Sequence, residues 1–466
     1  MTIIKNNNFL ERLAKVSEIL IFIYIAECVI GSSGRWIEIG PFSIRMVLFV
    51  VCFVTTLPSV MLNIRLLSKN YQIVFTFIFG VYYIICGCIG IFAGNNKQFI
   101  IADITTMMAL MLLPGMIVTL NSDHAIKKVI DIIFYAAVVL ASFVVVLHYV
   151  LAFLSDESVN SLNVLINEKA LGGLAMLTTG LQRIYFKSQI FFQVAIILGV
   201  WKIADKSIKD CWLLLFFEGV LFTGVILSYT RGFWLGLALS LIILLISYPK
   251  QIKKYLIILA SVIITFMFFV ILSNVLYGAP NMLYEIINRF DPNLLAGFNS
   301  SNSGLSGLPG DSGALGEVDK NNLNAVNIRN LSLAGLKDKI SSKPIFGSGL
   351  GTNLDGIRND GKTEYMYYDL LMKTGLFGLF MSLLVFYGFI YQHIKQSIPE
   401  WMRERFNCNF GSKVVRDRFL VIAYLSIAIT SFFNPFLFNP MGIMMLSVVC
   451  AAIFSQKPLD KEEKKV

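Results

Sequence analysis

The sequence predicts an all-α polytopic membrane protein with about twelve transmembrane helices, and three observations support this class. Of the 466 residues, 56% are hydrophobic and only 15% are charged, and the mean hydropathy is +0.71. Apolar runs of roughly 16 to 25 residues, long enough to cross a bilayer, recur along the chain. Lysine and arginine concentrate in every second connection between those runs, which is typical of the cytoplasmic loops of membrane proteins.

The first apolar run follows the basic residues Lys5, Arg12 and Lys15, but no small-residue cleavage site follows it, so we interpret it as a retained span. The predicted spans cover residues 16–31, 42–62, 71–93, 101–120, 129–153, 188–203, 211–228, 233–248, 255–277, 364–392, 418–433 and 437–455.

The distribution of basic residues predicts that both termini are cytoplasmic. The net charge of +10 is therefore mainly a topology signal, and nucleic-acid binding is a poor explanation for it. The tail 456–466 is assigned to the cytoplasm on the same argument.

Two segments are predicted to lie outside the membrane. The segment 154–187, within the first nine spans (1–277), is expected to form a helix at the outer interface that brings Arg183 to the next span. The long loop 278–363 follows span nine and precedes the last three spans (364–455). Its Asn-, Ser- and Gly-rich middle, 298–323, predicts mobility, and its ends show helical patterns over 282–290 and 326–340.

Arg231 is the most informative residue, because it lies between two apolar runs in the sequence Ser228-Tyr229-Thr230-Arg231-Gly232. A cation at the end of a span needs an anion, a lipid headgroup or water, so this turn is a candidate phosphate site. The alternative is an arginine that only reaches out to lipid phosphates as an anchor.

Three motifs carry a family resemblance. The turn before Arg231 resembles the Ser-Arg-Gly signature of the O-antigen polymerase and O-antigen ligase superfamily. The glycine-rich segment 344–351 is similar to the approach that this family places near the end of its long outer loop. The segment 364–378, which ends in Gly-Leu-Phe-Gly, resembles the following start of a span. The order of the motifs and the position of the long loop extend the resemblance over most of the chain.

The resemblance implies a glycosyltransferase of the bacterial cytoplasmic membrane that acts at the outer face on oligosaccharides linked to a polyprenyl diphosphate. Where the ligases carry a histidine, this chain has Glu364, and the outer loop has no histidine. This difference favours a polymerase that joins repeat units into surface polysaccharide. A ligase that moves the finished glycan to another acceptor remains an alternative, and a flippase or other transporter is a third, since Glu218 lies within the seventh span.

Arg231, Arg183 and Glu364 are the predicted catalytic residues. Guanidinium groups bind phosphate oxygens bidentately and would stabilise the diphosphate leaving group, while a carboxylate can accept the proton of the sugar hydroxyl. Glu364 is equally well explained as an acid favoured by a helix N-terminus. The predicted substrate-binding residues are Arg45, Tyr365, Tyr368 and Asp369.

Asp369 also has a structural interpretation, as the ion-pair partner of Lys373 four residues later. No metal site or cofactor is predicted, because the histidines and cysteines form no ligand-spaced cluster. The expected partners are the lipid-linked oligosaccharides and membrane lipids, with a chain-length regulator as a further candidate.

Overall fold

The computed structural model describes residues 8–40, 42–177, 181–204, 206–277, 282–290, 328–354, 363–404 and 410–454. The predicted loop middle 298–323 and the tail 456–466 lie outside these residues. Seven of the described helices are long and apolar enough to cross a membrane, and three shorter apolar helices accompany them. Each predicted span overlaps one helix, and the all-α polytopic class is confirmed.

The helices are numbered in chain order. They are α1 (Asn8–Ile30), α2 (Ile44–Leu62), α3 (Tyr71–Phe92), α4 (Lys97–Thr119), α5 (Asp123–Leu151), α6 (Asp156–Glu168), α7 (Ile190–Ala204), α8 (Trp212–Leu227), α9 (Arg231–Ser247), α10 (Ile252–Tyr277), α11 (Met282–Phe290), α12 (328–342), α13 (Met366–Glu404), α14 (Lys413–Thr430) and α15 (Pro440–Phe454).

Two short antiparallel hairpins interrupt this helical chain. The first pairs β1 (Glu38–Ile39) with β2 (Phe42–Ser43), and the second pairs β3 (Gly172–Met176) with β4 (Gln182–Phe186). The expectation of one interfacial helix over 154–187 is therefore only half right, since α6 ends at Glu168 and the hairpin β3–β4 follows. The apolar residues around Gly172 fit both the helical period of 3.6 and the strand period of 2, so their spacing does not distinguish the two structures. Glycine is required at position 172, because a β carbon there would lie 1.7 Å from the Tyr185 carbonyl oxygen.

The centre of the bundle is formed by α5, α7, α14 and α15, whose side chains are mostly buried. Helices α2, α3 and α10 expose large apolar side chains, as expected for helices that face lipid. The bundle has two ends. We call the one that carries β3–β4 the hairpin end; the α1–α2 loop joins it there, because Ser33 Oγ donates to the Lys169 carbonyl oxygen. At the opposite end, Trp201 on α7 donates to the Phe410 carbonyl oxygen beside α14.

Candidate active site

The turn between α8 and α9 holds Arg231 at the first position of α9. Tyr229, buried at 2% exposure, has a positive φ of 46°, which is uncommon for a residue other than glycine. The Thr230 backbone N–H donates to Ser228 Oγ at 3.2 Å, and Ser228 Oγ donates to the Val225 carbonyl oxygen at 2.7 Å. Thr230 makes no side-chain cap bond to α9, and the Arg231 side chain is exposed. The turn therefore places a guanidinium group beside the positive end of a helix dipole.

Arg183, from strand β4, reaches the same turn. Its Nε donates to the Ser228 carbonyl oxygen at 2.8 Å, and its Nη2 donates to Thr230 Oγ1 at 3.2 Å. The structure thus brings Arg183 to the residues that immediately precede Arg231. The two arginines come from parts of the sequence 48 positions apart, and the hairpin is what joins them.

Side chains of strand β4 point alternately to a buried face and to a half-buried face. Gln182, Ile184 and Phe186 are buried, whereas Arg183 and Tyr185 are half-buried on the other face. The Arg183 guanidinium carbon lies 5.6 Å from the centre of the Tyr185 ring, and that ring stacks on Phe233 of α9. Tyr185 therefore packs the hairpin against the start of α9, and its ring contacts the Arg183 guanidinium group.

The pKa of the Tyr185 hydroxyl depends on burial and on the charges around it. Burial raises the pKa of Tyr185 to about 12, the Arg183 charge opposes that rise, and the Glu364 charge adds to it. The hydroxyl is therefore neutral at physiological pH. Arg183 and Glu364 are therefore both close enough to Tyr185 to affect its pKa.

Glu364 lies two residues before α13 and contacts α12. Its Oε2 accepts from Arg329 Nε at 2.5 Å, and both side chains are partly exposed. The ion pair joins the end of the long loop to the start of α13, so it fixes where the Glu364 carboxylate lies. Sequence reasoning did not identify Arg329.

The predicted substrate-binding residues near Glu364 occupy different environments. Tyr365 packs against the small cluster formed by Leu336 and Met372, whereas Tyr368 is 43% exposed. The two tyrosine rings meet edge to face at 6.3 Å. Asp369 Oδ2 lies 2.9 Å from Lys373 Nζ, so the ion pair expected within this helix is confirmed.

Lys373 has a second partner that the sequence did not reveal. Its Nζ lies 3.1 Å from Oδ1 of Asp103 on α4, and both side chains are buried. Asp103 Oδ2 in turn accepts from the Gly351 backbone N–H at 3.0 Å. This buried pair ties α13 to α4 and to the end of the long loop.

Residues 347–351 of the glycine-rich segment 344–351 bind to the bundle through their backbone. Ser348 N–H donates to the Met372 carbonyl oxygen at 2.8 Å, and Gly349 N–H donates to the Lys373 carbonyl oxygen at 3.0 Å. These contacts are possible because α13 is broken at Gly375, where φ is +69°. Gly349, with φ +87°, leaves no room for a side chain, since a β carbon there would lie 2.4 Å from the Gly90 nitrogen of α3. The segment therefore positions the start of α13, which carries Asp369.

The turn between α14 and α15, which contains the pairs Asn434-Pro435 and Asn439-Pro440, packs against α9. Thr430 Oγ1 donates to the Gly232 carbonyl oxygen at 3.2 Å, and Gln193 Nε2 of α7 donates to Thr430 Oγ1 at 3.0 Å. On the other side of this turn, the Phe432 ring lies 4.6 Å from the Tyr367 ring of α13. The turn thus bridges the helix that begins with Arg231 and the helix that follows Glu364.

Arg45, at the start of α2, is held by Glu27 of α1. Its Nε lies 2.7 Å from Glu27 Oε2, its Nη2 lies 3.2 Å from Glu27 Oε1, and both side chains are about nine-tenths buried. The position at the start of the second span agrees with the sequence, but the fork of the guanidinium is turned toward a carboxylate. A phosphate contact for Arg45 stays a prediction.

Glu218 lies fully buried within α8, and neither carboxyl oxygen has a hydrogen-bond partner among the described residues. A β carbon on Gly199 of α7 would lie 1.7 Å from Glu218 Oε1, so the carboxyl group packs directly on α7. The cost of burying this carboxyl group is therefore not offset by a hydrogen bond within the described part of the chain. Within that part, no group of three or more His, Cys, Asp or Glu side chains could hold a metal ion.

Comparison with known proteins identifies an informative relative. No family model matches the chain. The chain is 25% identical, over 458 residues, to an O-antigen polymerase of Shigella flexneri, and the alignment covers 94% of this chain and 95% of that protein. This similarity along nearly the whole length supports the O-antigen polymerase and ligase superfamily as the family that the motifs resemble.

Proposed function

We propose that this protein polymerises lipid-linked oligosaccharide repeat units into surface polysaccharide. The relative supports a polymerase role in O-antigen synthesis in a multi-pass bacterial inner-membrane protein. The polyprenyl diphosphate donor, the outer-face location of the reaction and the cytoplasmic position of both termini are parts of the proposal.

A single observation carries the proposal: Arg183 of the hairpin is bonded to the turn that begins α9 with Arg231. Its described contacts at this turn are with a backbone carbonyl oxygen and a hydroxyl oxygen. Arg183 therefore lies at the turn that precedes Arg231 and the positive end of α9, and arginines at a helix N-terminus suit a diphosphate ligand.

The proposed reaction is a glycan transfer in which Glu364 accepts a proton and the two arginines stabilise the leaving group. The oxygen of a sugar hydroxyl on one lipid-linked unit attacks the anomeric carbon of the growing chain on another. The bond between that carbon and the diphosphate oxygen breaks, and its electron pair leaves on the diphosphate. The hydroxyl proton passes to Glu364, and Arg183 and Arg231 stabilise the departing charge. The products are a longer glycan on one lipid and a free polyprenyl diphosphate.

Tyr368, Tyr365 and Asp369 have supporting roles in this proposal, and a phosphate contact of Arg45 is a further part of it. Exposed Tyr368 offers a ring for stacking on sugar, and Tyr365 holds that ring from one side. Asp369, fixed by Lys373, borders a small cleft lined also by Thr363 and Asn439, where sugar hydroxyls would find polar partners. A chain-length regulator remains a proposed partner.

The test is product lengthening by purified protein supplied with lipid-linked repeat units in detergent. We expect a ladder of glycans from the wild type and its loss, by roughly a hundredfold or more in rate, in Arg231→Ala. Arg35→Ala, which removes an exposed arginine from the same end, is the matched control and should keep the ladder. A wild-type protein that only moves units across the bilayer, with no ladder, would support a transporter instead.

A deletion strain separates polymerase from ligase. Loss of long chains with one repeat unit still attached indicates a missing polymerase, whereas full-length chains left on the lipid carrier indicate a missing ligase. Reporter tags at residues 183 and 231 test the topology, and a cytosolic position for either would contradict the proposal.

A further inference from the structure

An apolar cavity of about 240 Å³ lies under helix α6 at the hairpin end. Its walls include Phe143 and Leu147 of α5, Leu162 of α6, Phe186 of β4 and Trp36 of the α1–α2 loop, and Lys169 is the one charged residue that lines it. Apolar cavities of about 150 Å³ stay dry and bind apolar molecules. A cavity of this size with an apolar lining is therefore suited to bind a hydrocarbon chain.

The cavity is continuous with the surface that faces the bilayer. Val139, Phe143, Val146 and Val150 lie three or four positions apart on α5 and expose their side chains along one stripe. Phe143 belongs to both the stripe and the cavity wall. A chain that lies along α5 in the bilayer could thus enter the cavity beneath α6 without crossing polar surface.

Lys169 at the cavity forms an ion pair with Glu38 of β1, and the charge of Arg35 also acts on Glu38. Lys169 Nζ lies 2.6 Å from Glu38 Oε2, and each side chain remains about one-third exposed. The hydrogen bond from Lys169 lowers the pKa of the Glu38 carboxyl group from its ordinary value, so Glu38 is a carboxylate at neutral pH. A headgroup that contains both a phosphate and an amine complements this pair better than a purely anionic one does.

We propose that this cavity holds one hydrocarbon chain of an amine-containing bilayer phospholipid, with its phosphate at Lys169 and its amine at Glu38. The bound lipid fills the space behind β4 and so supports the strand that presents Arg183 on its other face. The isoprenoid chain of a glycan donor is a poorer occupant. A diphosphate at Arg183 would lie across β4 from Phe186, and its chain would have to pass around the hairpin.

The test is the lipid that remains bound after purification in mild detergent, measured by native mass spectrometry and lipid extraction. The wild type should retain a phospholipid. Leu147→Trp and Leu162→Trp fill the cavity from the wall and from the roof, and each should lower the occupancy roughly tenfold or more, since about two buried methylenes already account for a factor of ten in affinity. Val139→Trp, on the same stripe but outside the cavity, is the matched control and should retain the lipid.

Exchange into vesicles distinguishes the headgroup. Phosphatidylethanolamine vesicles should raise the unfolding temperature of the wild type and of Val139→Trp more than phosphatidylglycerol vesicles do, and Glu38→Gln should remove the difference. Retention of phospholipid by both cavity-filling variants at the wild-type level would overturn the proposal. So would a wild-type protein that carries only a polyprenyl lipid or no lipid at all. None of these outcomes depends on the polymerase assay.

Discussion

The arginines at the two ends of the bundle are held in chemically different ways. At the opposite end, Arg416 of α14 is 1% exposed and is bound by Asp417, at 2.9 and 2.6 Å, and by Asp123 of α5. At the hairpin end, Arg183 donates to a backbone carbonyl and a hydroxyl, and Arg231 is exposed. Carboxylates neutralise the first arginine and make it a structural link between helices. Arg183 is instead bound to the turn that begins α9, where a backbone carbonyl and a hydroxyl accept its hydrogen bonds beside the positive end of the helix dipole.

The largest effect should come from the buried cluster at the opposite end. Arg416→Ala leaves Asp417, itself 0% exposed, without its guanidinium partner, and we expect a loss of about 3–5 kcal/mol in the free energy of unfolding. Equilibrium unfolding in mixed micelles measures it. Arg231→Ala, the matched change at the hairpin end, should shift the same curve by less than about 0.5 kcal/mol. Equal destabilisation by the two variants would contradict the claim that Arg416 is structural and Arg231 is not.

Gly349→Ala tests the docking of the glycine-rich segment. Its positive φ costs a side chain about 1–2 kcal/mol, and the contact with the Gly90 nitrogen adds to that cost. We expect a loss of roughly 2–3 kcal/mol, or local release of residues 347–351. Hydrogen exchange of the Ser348 and Leu350 amides follows the release directly. Unchanged protection of these amides would show that the segment does not depend on the close approach to α3.

Arg183→Lys separates charge from geometry at the hairpin end. The lysine keeps the positive charge but cannot reproduce the forked contact with Ser228 and Thr230. We expect a polymerisation rate lowered roughly tenfold, about 1.4 kcal/mol, with little change in stability. The ladder assay gives the rate and thermal unfolding gives the stability. Full activity would mean that charge alone suffices.

The smallest effect is expected for the pair on α1 and α2. Replacing Arg45 and Glu27 together by Met and Leu removes both charges and should change the unfolding free energy by less than about 1–2 kcal/mol. The ladder assay on this variant tests the phosphate contact of Arg45 separately from its structural role. Arg45→Met alone leaves a buried carboxylate and should be clearly less stable. Loss of the ladder in a stable double variant would instead support the predicted phosphate contact of Arg45.

The sequence predicted the features that depend on local patterns. Hydropathy located the spans, the i to i+4 spacing located the Asp369–Lys373 pair, and the interruption of an apolar run located Arg231. The hairpin β3–β4 was missed, although the Gly-Gly pair and the alternating residues of Gln182–Phe186 were a usable signal.

Contacts between distant residues had no such signal. Asp103 and Lys373 are 270 positions apart, and nothing in either span marks them as partners. The contact of Arg329 with Glu364 likewise depends on how α12 folds back on the start of α13. Only the assembled bundle shows that the arginine of the hairpin lies at the turn that precedes Arg231.

The most direct measurement is the affinity for polyprenyl diphosphate without sugar, with protein in lipid nanodiscs. The account predicts that Arg183→Ala and Arg231→Ala each weaken binding roughly tenfold or more, because each removes one or more charge-assisted hydrogen bonds of about 1.5–3 kcal/mol. Arg35→Ala, which removes an exposed arginine from the same end of the bundle, should bind as the wild type does. Wild-type affinity in both single alanine variants would contradict the claim that these two arginines hold the diphosphate.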